Sequence, residues 1–180
     1  MIMIYFHGYG SDRTSRKFQD FKKLFKSSSS YCVEWTPESD FNGILNIVEA
    51  SIAEEEQVIL MGDSSGANFA YQLRERRKKK GLASVLVMVS PLLDYGMRKG
   101  SNLEFPDNLK NSLITIDDPK DAFILIGKQD EVIDYKGFQE KGSYNSEILF
   151  VEDSHRLPKF RDYLGYINCY VQNKLRFDYF

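Results

Sequence analysis

The sequence predicts an α/β fold, a mostly parallel sheet with helices on both faces, and three observations carry that expectation. Short continuous apolar runs such as Val58-Ile59-Leu60-Met61 and Val85-Leu86-Val87-Met88-Val89 have the length and branching of strands buried on both sides. Between such runs, apolar residues return at helical spacing, so strand and helix patterns alternate along the chain. Each run also stops at a glycine, proline or polar cluster, and in such a sheet the loops after the strands gather at one edge and form the site there.

Bulk properties narrow the class. At 180 residues the chain suits one domain, 1–180, large enough to bury a sizeable core. Lys plus Arg number 24 against 26 for Asp plus Glu, a net charge of −2 that offers no electrostatic case for nucleic acid or an anionic membrane. Cys32 and Cys169 lie far apart without metal-ligand spacing, so they read as structural thiols in a reducing compartment, with no metal. The apolar opening Met1 to Phe6 is too short for a signal segment and no run reaches membrane-spanning length. A cytoplasmic monomer or homodimer is expected.

Taken in order, residues 2 to 6 form a first strand ending in His7-Gly8-Tyr9-Gly10, where the glycines permit a sharp turn. Ser11 or Asp12 caps a helix bearing Phe18, Phe21, Leu24 and Phe25, and Ser27 to Ser30 form a polar connector. Tyr31 to Trp35 make the second strand, and Asp40 caps a helix with Ile44, Leu45, Ile47 and Val48. The third strand, Val58 to Met61, runs into Gly62-Asp63-Ser64-Ser65-Gly66 and then a helix to about Lys80. That helix ends in Arg74-Glu75-Arg76-Arg77-Lys78-Lys79-Lys80 before Gly81. Cations there complement the helix dipole, and an anionic-ligand patch is the alternative reading.

Ser84 to Val89 form the fourth strand, followed by an aperiodic segment, Leu92 to Pro119. It is expected to make a short cap in which Leu92, Leu93, Tyr95, Met97, Leu103 and Phe105 line an apolar pocket; plain core packing competes with that reading. Ala122 to Ile126 form the fifth strand, with Asp130 just beyond it and Asp134 placed to cap a helix from Tyr135. Ile148 to Val151 form the sixth strand, followed at once by His155. An amphipathic helix after Pro158 carries Phe160, Tyr163, Leu164, Ile167 and Val171, with an aromatic tail at Phe177, Tyr179 and Phe180.

The chemistry converges on Gly62-Asp63-Ser64-Ser65-Gly66, a G-x-S-x-G turn between strand and helix. A serine on so sharp a turn is strained, and its neighbours two residues away must lack a Cβ for strand and helix to pass. The glycine offsets select Ser64 over Ser65 as nucleophile. In the α/β-hydrolase arrangement the first loop supplies an oxyanion donor, here the Tyr9 N–H, beside the N–H of Ser65. His155 is left as general base, since His7 sits in the oxyanion loop. Asp130 is the preferred triad acid, with Asp134 and Asp94 as alternatives, and the order Ser64, Asp130, His155 is that of α/β hydrolases.

These stretches resemble the YqiA-type family of small bacterial esterases. The likeness is carried by His7-Gly8-Tyr9, Gly62-Asp63-Ser64-Ser65-Gly66, Gln129-Asp130-Glu131-Val132-Ile133-Asp134-Tyr135 and Ser154-His155, in order over nearly the whole chain. The resemblance implies a compact α/β-hydrolase fold, Ser64, Asp130 and His155 as triad, and hydrolysis of short or medium acyl esters or thioesters. Ala67 stands where many relatives have a second glycine, and the 92–119 segment is not recognisable, which leaves the substrate open. The expectation is a serine acyl hydrolase that needs no cofactor and takes a small ester or thioester. The rival is a binding module that keeps the fold without turnover.

Overall fold

The computed structural model describes residues 1–100, 104–141 and 145–177. Six strands form one sheet: β1 (Ile2–Phe6), β2 (Ser29–Val33), β3 (Val58–Asp63), β4 (Val85–Val89), β5 (Ala122–Gly127) and β6 (Glu147–Val151). The order is β2-β1-β3-β4-β5-β6, and every neighbouring pair is parallel. The α-helices are α1 (Arg16–Leu24), α2 (Phe41–Ser51), α3 (Ser65–Lys79), α4 (Asp107–Ser112), α5 (Lys136–Lys141) and α6 (Leu164–Phe177).

Alternation along the strands sorts the core into two layers. Ile4, Phe6, Leu60, Leu86, Met88 and Ile124 share one face with Leu45 and Val48 of α2 and Phe69 and Leu73 of α3. Met3, Tyr5, Ile59, Met61, Val87 and Leu125 share the other with Phe18 and Phe21 of α1 and Ile167 and Val171 of α6. A sheet covered on both faces needs strands apolar at every position, and all five residues of β4 are buried.

Several boundaries differ from the sequence reading, each for a local reason. Strand β2 begins at Ser29, inside the expected polar connector, because its register is set by β1, from Ile2 opposite Ser29 to Phe6 opposite Val33. An edge strand tolerates that polar start, and Trp35 lies beyond the strand, stacked on His7 with ring centroids 4.8 Å apart. The cap of α1 is Ser15, whose Oγ accepts from the Phe18 N–H at 3.4 Å. Asp12 is committed elsewhere, accepting from the Thr14 N–H and hydroxyl, both at 2.6 Å. The segment after Pro158 opens as a 3-10 turn, Phe160–Tyr163, before α6. Asp40 does cap α2, accepting from the Gly43 N–H at 2.9 Å.

The 92–119 segment folds as a 3-10 turn at Tyr95–Met97 and the short α4. It is tied to α3 by Asn68, which is fully buried and donates to the carbonyls of Leu92 at 3.0 Å and Ile114 at 2.8 Å. Of the residues expected to line a pocket there, Leu103 lies outside the described residues, as do Tyr179 and Phe180 of the tail. Among the described residues no helix is long and apolar enough to cross a membrane.

Candidate active site

The turn from β3 into α3 holds Ser64 at φ 54°, ψ −121°, a conformation that side chains avoid. Neighbouring segments enforce it. The Ser64 N–H donates to Val89 O at 2.9 Å, and its carbonyl accepts from the N–H groups of Ala67 and Leu92, each at 3.1 Å. The two flanking glycines are sterically required. A Cβ on Gly62 would lie 2.4 Å from the Ala67 Cα, and one on Gly66 would lie 2.3 Å from the carbonyl oxygens of Phe6 and His7. Thus the close passage of α3 across β1 and β3 dictates the glycines, and the strain lifts Ser64 to the strands' C-terminal edge.

Asp130 follows β5 and is 4% exposed. Its Oδ1 accepts from the N–H groups of Val132 at 2.9 Å and Ile133 at 2.8 Å. Its Oδ2 lies 2.8 Å from Nδ1 of His155. The carboxylate is therefore locked by its own loop and presents one oxygen to the imidazole. That contact assigns the proton to Nδ1 and leaves Nε2 as an acceptor. The alternatives are engaged elsewhere: Asp94 accepts from the Gly96 N–H at 2.7 Å and Thr115 Oγ1 at 2.6 Å. Asp134 accepts from the Lys136 N–H at 3.1 Å, at the start of α5.

The loop bearing His155 is fastened from three directions. The His155 N–H donates to Glu131 Oε2 at 3.0 Å, and Ser90 Oγ donates to its carbonyl at 3.1 Å. Arg16, at the start of α1, donates to the carbonyls of Arg156 at 3.0 Å, Leu157 at 2.6 Å and Pro158 at 2.9 Å. Ser90 at φ 41° and Leu157 at φ 48° are themselves strained, so these bonds hold the loop against a local preference. Nothing in the sequence singled out Arg16, which looks like an ordinary surface cation.

The first loop approaches Ser64 closely, since a Cβ on Gly8 would lie 3.2 Å from the Ser64 Cβ. Of the two expected oxyanion donors, the Ser65 N–H has no hydrogen-bond partner among the described residues. The Tyr9 N–H is already engaged, donating to the Ser65 side-chain Oγ at 3.0 Å. His7 is 2% exposed and lies beneath the loop. Its Nδ1 is 2.9 Å from Gly8 O, and its Nε2 accepts from the Trp35 N–H at 3.4 Å. Burial lowers its pKa, and the Gly8 carbonyl only partly offsets that, so His7 is a neutral structural imidazole.

Ser64 and His155 open onto one cleft of about 730 Å³. Neither Ser64 Oγ nor His155 Nε2 makes a hydrogen bond within the described residues. Leu92, Phe105, Val132 and Ile133 give the cleft an apolar lining, while Arg16, Lys17, Arg98 and Arg156 bring positive charge to it. Of the expected pocket residues, Leu92 and Phe105 line the cleft. Tyr95 packs behind Phe105 with ring centroids 5.5 Å apart, and Met97 faces a separate hollow with Asp94 and Phe138. Lys17 pairs with Asp63 at 2.7 Å beside Ser64, a largely buried ion pair that the sequence did not signal. Among the described residues no group of three or more His, Cys, Asp or Glu side chains is placed to hold a metal ion.

Comparisons with known proteins place the family and the fold. Residues 2–172 match UPF0227, an uncharacterised protein family. The fold is that of α/β hydrolases. A protein of Agrobacterium vitis S4 provisionally named a hydrolase superposes with a TM-score of 0.70 at 18% identity, over 94% of this chain and 87% of that one. The type II thioesterase BorB from the borrelidin biosynthetic cluster gives 0.69 at 15%, over 95% and 91%. Est1E from Butyrivibrio proteoclasticus gives 0.65 at 14%, over 97% and 86%. No curated protein matches in the sequence comparison.

Proposed function

We propose, from the premise that this chain belongs to the UPF0227 family of YqiA-like proteins, that it is a serine hydrolase of acyl esters or thioesters. The observation that carries the reading is the strained Ser64 sharing a cleft with an Asp130–His155 pair at 2.8 Å. The esterase and thioesterase among its structural neighbours support the same class of chemistry.

In this reading Ser64 Oγ attacks the carbonyl carbon and His155 Nε2 takes its proton, while Asp130 stabilises the imidazolium through Nδ1–H. Negative charge on the carbonyl oxygen is received by the Ser65 N–H and by the Tyr9 N–H, which shares itself between Ser65 Oγ and the oxyanion. The leaving alcohol or thiol takes the proton from Nε2. Water then attacks the acyl-enzyme with His155 again as base, which releases the acid and restores Ser64. Leu92 and Phe105 are assigned to the apolar part of a short or medium acyl substrate, with Tyr95 supporting Phe105. No cofactor enters any step. A cytoplasmic location belongs to the same reading and is supported by two free cysteines.

The test is covalent labelling with a fluorophosphonate, followed by mapping of the adduct. Labelling at Ser64, absent from Ser64→Ala, is the expected result. A folded protein that takes no label is a binding module of the same fold, and a label elsewhere removes Ser64 from its role. Ser64→Ala should also lower kcat by about 10⁶, since loss of the nucleophile disables the triad as a unit.

A further inference from the structure

Ser65 is the first residue of α3 and is 1% exposed. A buried hydroxyl is costly without a partner, and serine is not a residue that helices favour for its propensity. Its side chain makes one hydrogen bond among the described residues, and the donor comes from outside the helix. Ser65 Oγ accepts from the Tyr9 N–H at 3.0 Å, across 56 positions of sequence. That bond ties the turn carrying Ser64 to the loop that follows β1.

The loop needs an anchor at that atom. Tyr9 stands between Gly8 and Gly10, the latter at φ 74°, so the backbone on either side lacks the Cβ that narrows rotation elsewhere. The Gly8–Tyr9 peptide is held at both ends, but in different ways. At its oxygen end, Gly8 O accepts from the Ser11 N–H at 3.1 Å and lies 2.9 Å from His7 Nδ1. Both partners belong to the loop itself, so they shape it without registering it against the elbow. At the nitrogen end, the bond to Ser65 Oγ is the one hydrogen bond among the described residues that fixes this loop to the turn at Ser64. The Tyr9 ring adds only an edge-on contact with Phe105, centroids 5.5 Å apart.

We propose, resting on the serine-hydrolase reading of Ser64, that the Ser65 side chain is a positioning residue for the oxyanion site. The Ser65 N–H is one expected donor and Ser65 Oγ anchors the other. A single residue therefore sets the separation of two N–H groups that must converge on one oxygen. The anchor does not withhold the Tyr9 N–H from the reaction. A neutral hydroxyl oxygen is a weaker acceptor than an oxyanion, so the N–H is held in place before substrate arrives and gives its larger share to the developing charge. Donors fixed in advance cost no reorganisation at the moment of reaction.

The test compares Ser65→Ala and the near-isosteric Ser65→Cys with the wild type, since neither offers a good acceptor at this position. In both, kcat should fall about tenfold, less than the loss of about 10²–10³ that follows outright removal of an oxyanion donor. KM should stay nearly unchanged, because the affected bond is made to the transition state. Affinity for an alkyl boronic acid, whose adduct on Ser64 is tetrahedral and anionic, should fall in parallel with kcat. In the free protein, amide hydrogen exchange at Tyr9 should quicken in both variants, a readout that does not depend on turnover. A kcat that rises in Ser65→Ala would mean that Oγ competes with substrate for the donor and would overturn the proposal. So would wild-type turnover in Ser65→Cys, unchanged exchange at Tyr9, or an equal loss of substrate and boronate affinity, which marks a general packing defect. Absence of fluorophosphonate labelling at Ser64 in the wild type would instead remove the hydrolase reading itself, and the role of Ser65 with it.

Discussion

Replacing Asp130 by asparagine tests the triad through a single atom. Oδ1 of Asp130 is held by two backbone N–H groups at 2.9 and 2.8 Å, so the amide oxygen of the variant is bound to occupy that position. Its NH₂ then stands where Oδ2 now faces His155 Nδ1 at 2.8 Å. Two donors cannot face each other there, and the imidazole must move its proton to Nε2. A protonated Nε2 cannot accept from Ser64. The expected fall in kcat is about 10⁴, or about 5.4 kcal/mol of transition-state stabilisation at 1.36 kcal/mol per decade. Because the replacement keeps shape and packing, the urea midpoint should move little. The assay is the initial rate on a short-chain ester, beside the rate of fluorophosphonate labelling, which should fall in parallel. Asp94→Asn and Asp134→Asn alter loop caps that do not reach the imidazole and should stay within about twofold, the scale of an exposed change away from the site. A variant at Asp130 that keeps a tenth of the activity, or a large loss at Asp94 instead, would refute the assignment.

Three further outcomes follow from geometry. Gly66→Ala places a methyl 2.3 Å from the carbonyls of Phe6 and His7 and should cost about 3 kcal/mol or prevent folding, whereas Gly137→Ala, with nothing within 4 Å, should be neutral or gain about 0.5–1 kcal/mol in chemical denaturation. His7 has a folded pKa below its unfolded value of about 6.5, so the native state binds fewer protons and stability is lost as pH falls from about 6.5 through the lower folded value; His7→Gln should flatten that part of the urea-midpoint profile, and an unchanged slope counts against it. Arg16→Ala removes three bonds to the His155 loop and should lower kcat about tenfold with KM and the melting temperature nearly unchanged, with partial recovery in Arg16→Lys; an effect on KM alone would mean Arg16 binds substrate and does not position the loop.

The parts of the site that could be read from the sequence are those whose constraints are local. The G-x-S-x-G spacing is legible because both glycines are forced by backbone within a few residues or on the adjoining strand, with clashes at 2.3 to 2.4 Å if either gained a Cβ. The alternation of strands and helices is legible because a sheet covered on both faces leaves unbroken apolar runs. Caps were less so: Ser11, Asp12 and Ser15 are all suitable types, and the choice depends on Asp12 being held by Thr14. The start of β2 depends on its partner strand more than on its own composition. In the aperiodic 92–119 segment no pattern fixes which side chains face inward, so Leu92 and Phe105 reach the cleft while Tyr95 and Met97 do not.

The least local part is the placement of His155. A histidine in a loop after a strand has no conformation of its own; here Glu131, Ser90 and Arg16 fix it, and they come from three distant segments. Ser90 and Arg16 are unremarkable residues where they stand in the sequence. Together they hold a loop that contains a left-handed leucine at φ 48° and rests on a left-handed serine at φ 41°. Neither conformation is favourable alone, so the strain is maintained by the surrounding bonds and is lost if they are. Ser64 obeys the same logic at φ 54°, but its restraint comes from glycines that announce themselves. Ser64 and the His155 loop are therefore both held by strain set against packing, and only the glycine-enforced half of that balance leaves a mark in the order of the residues.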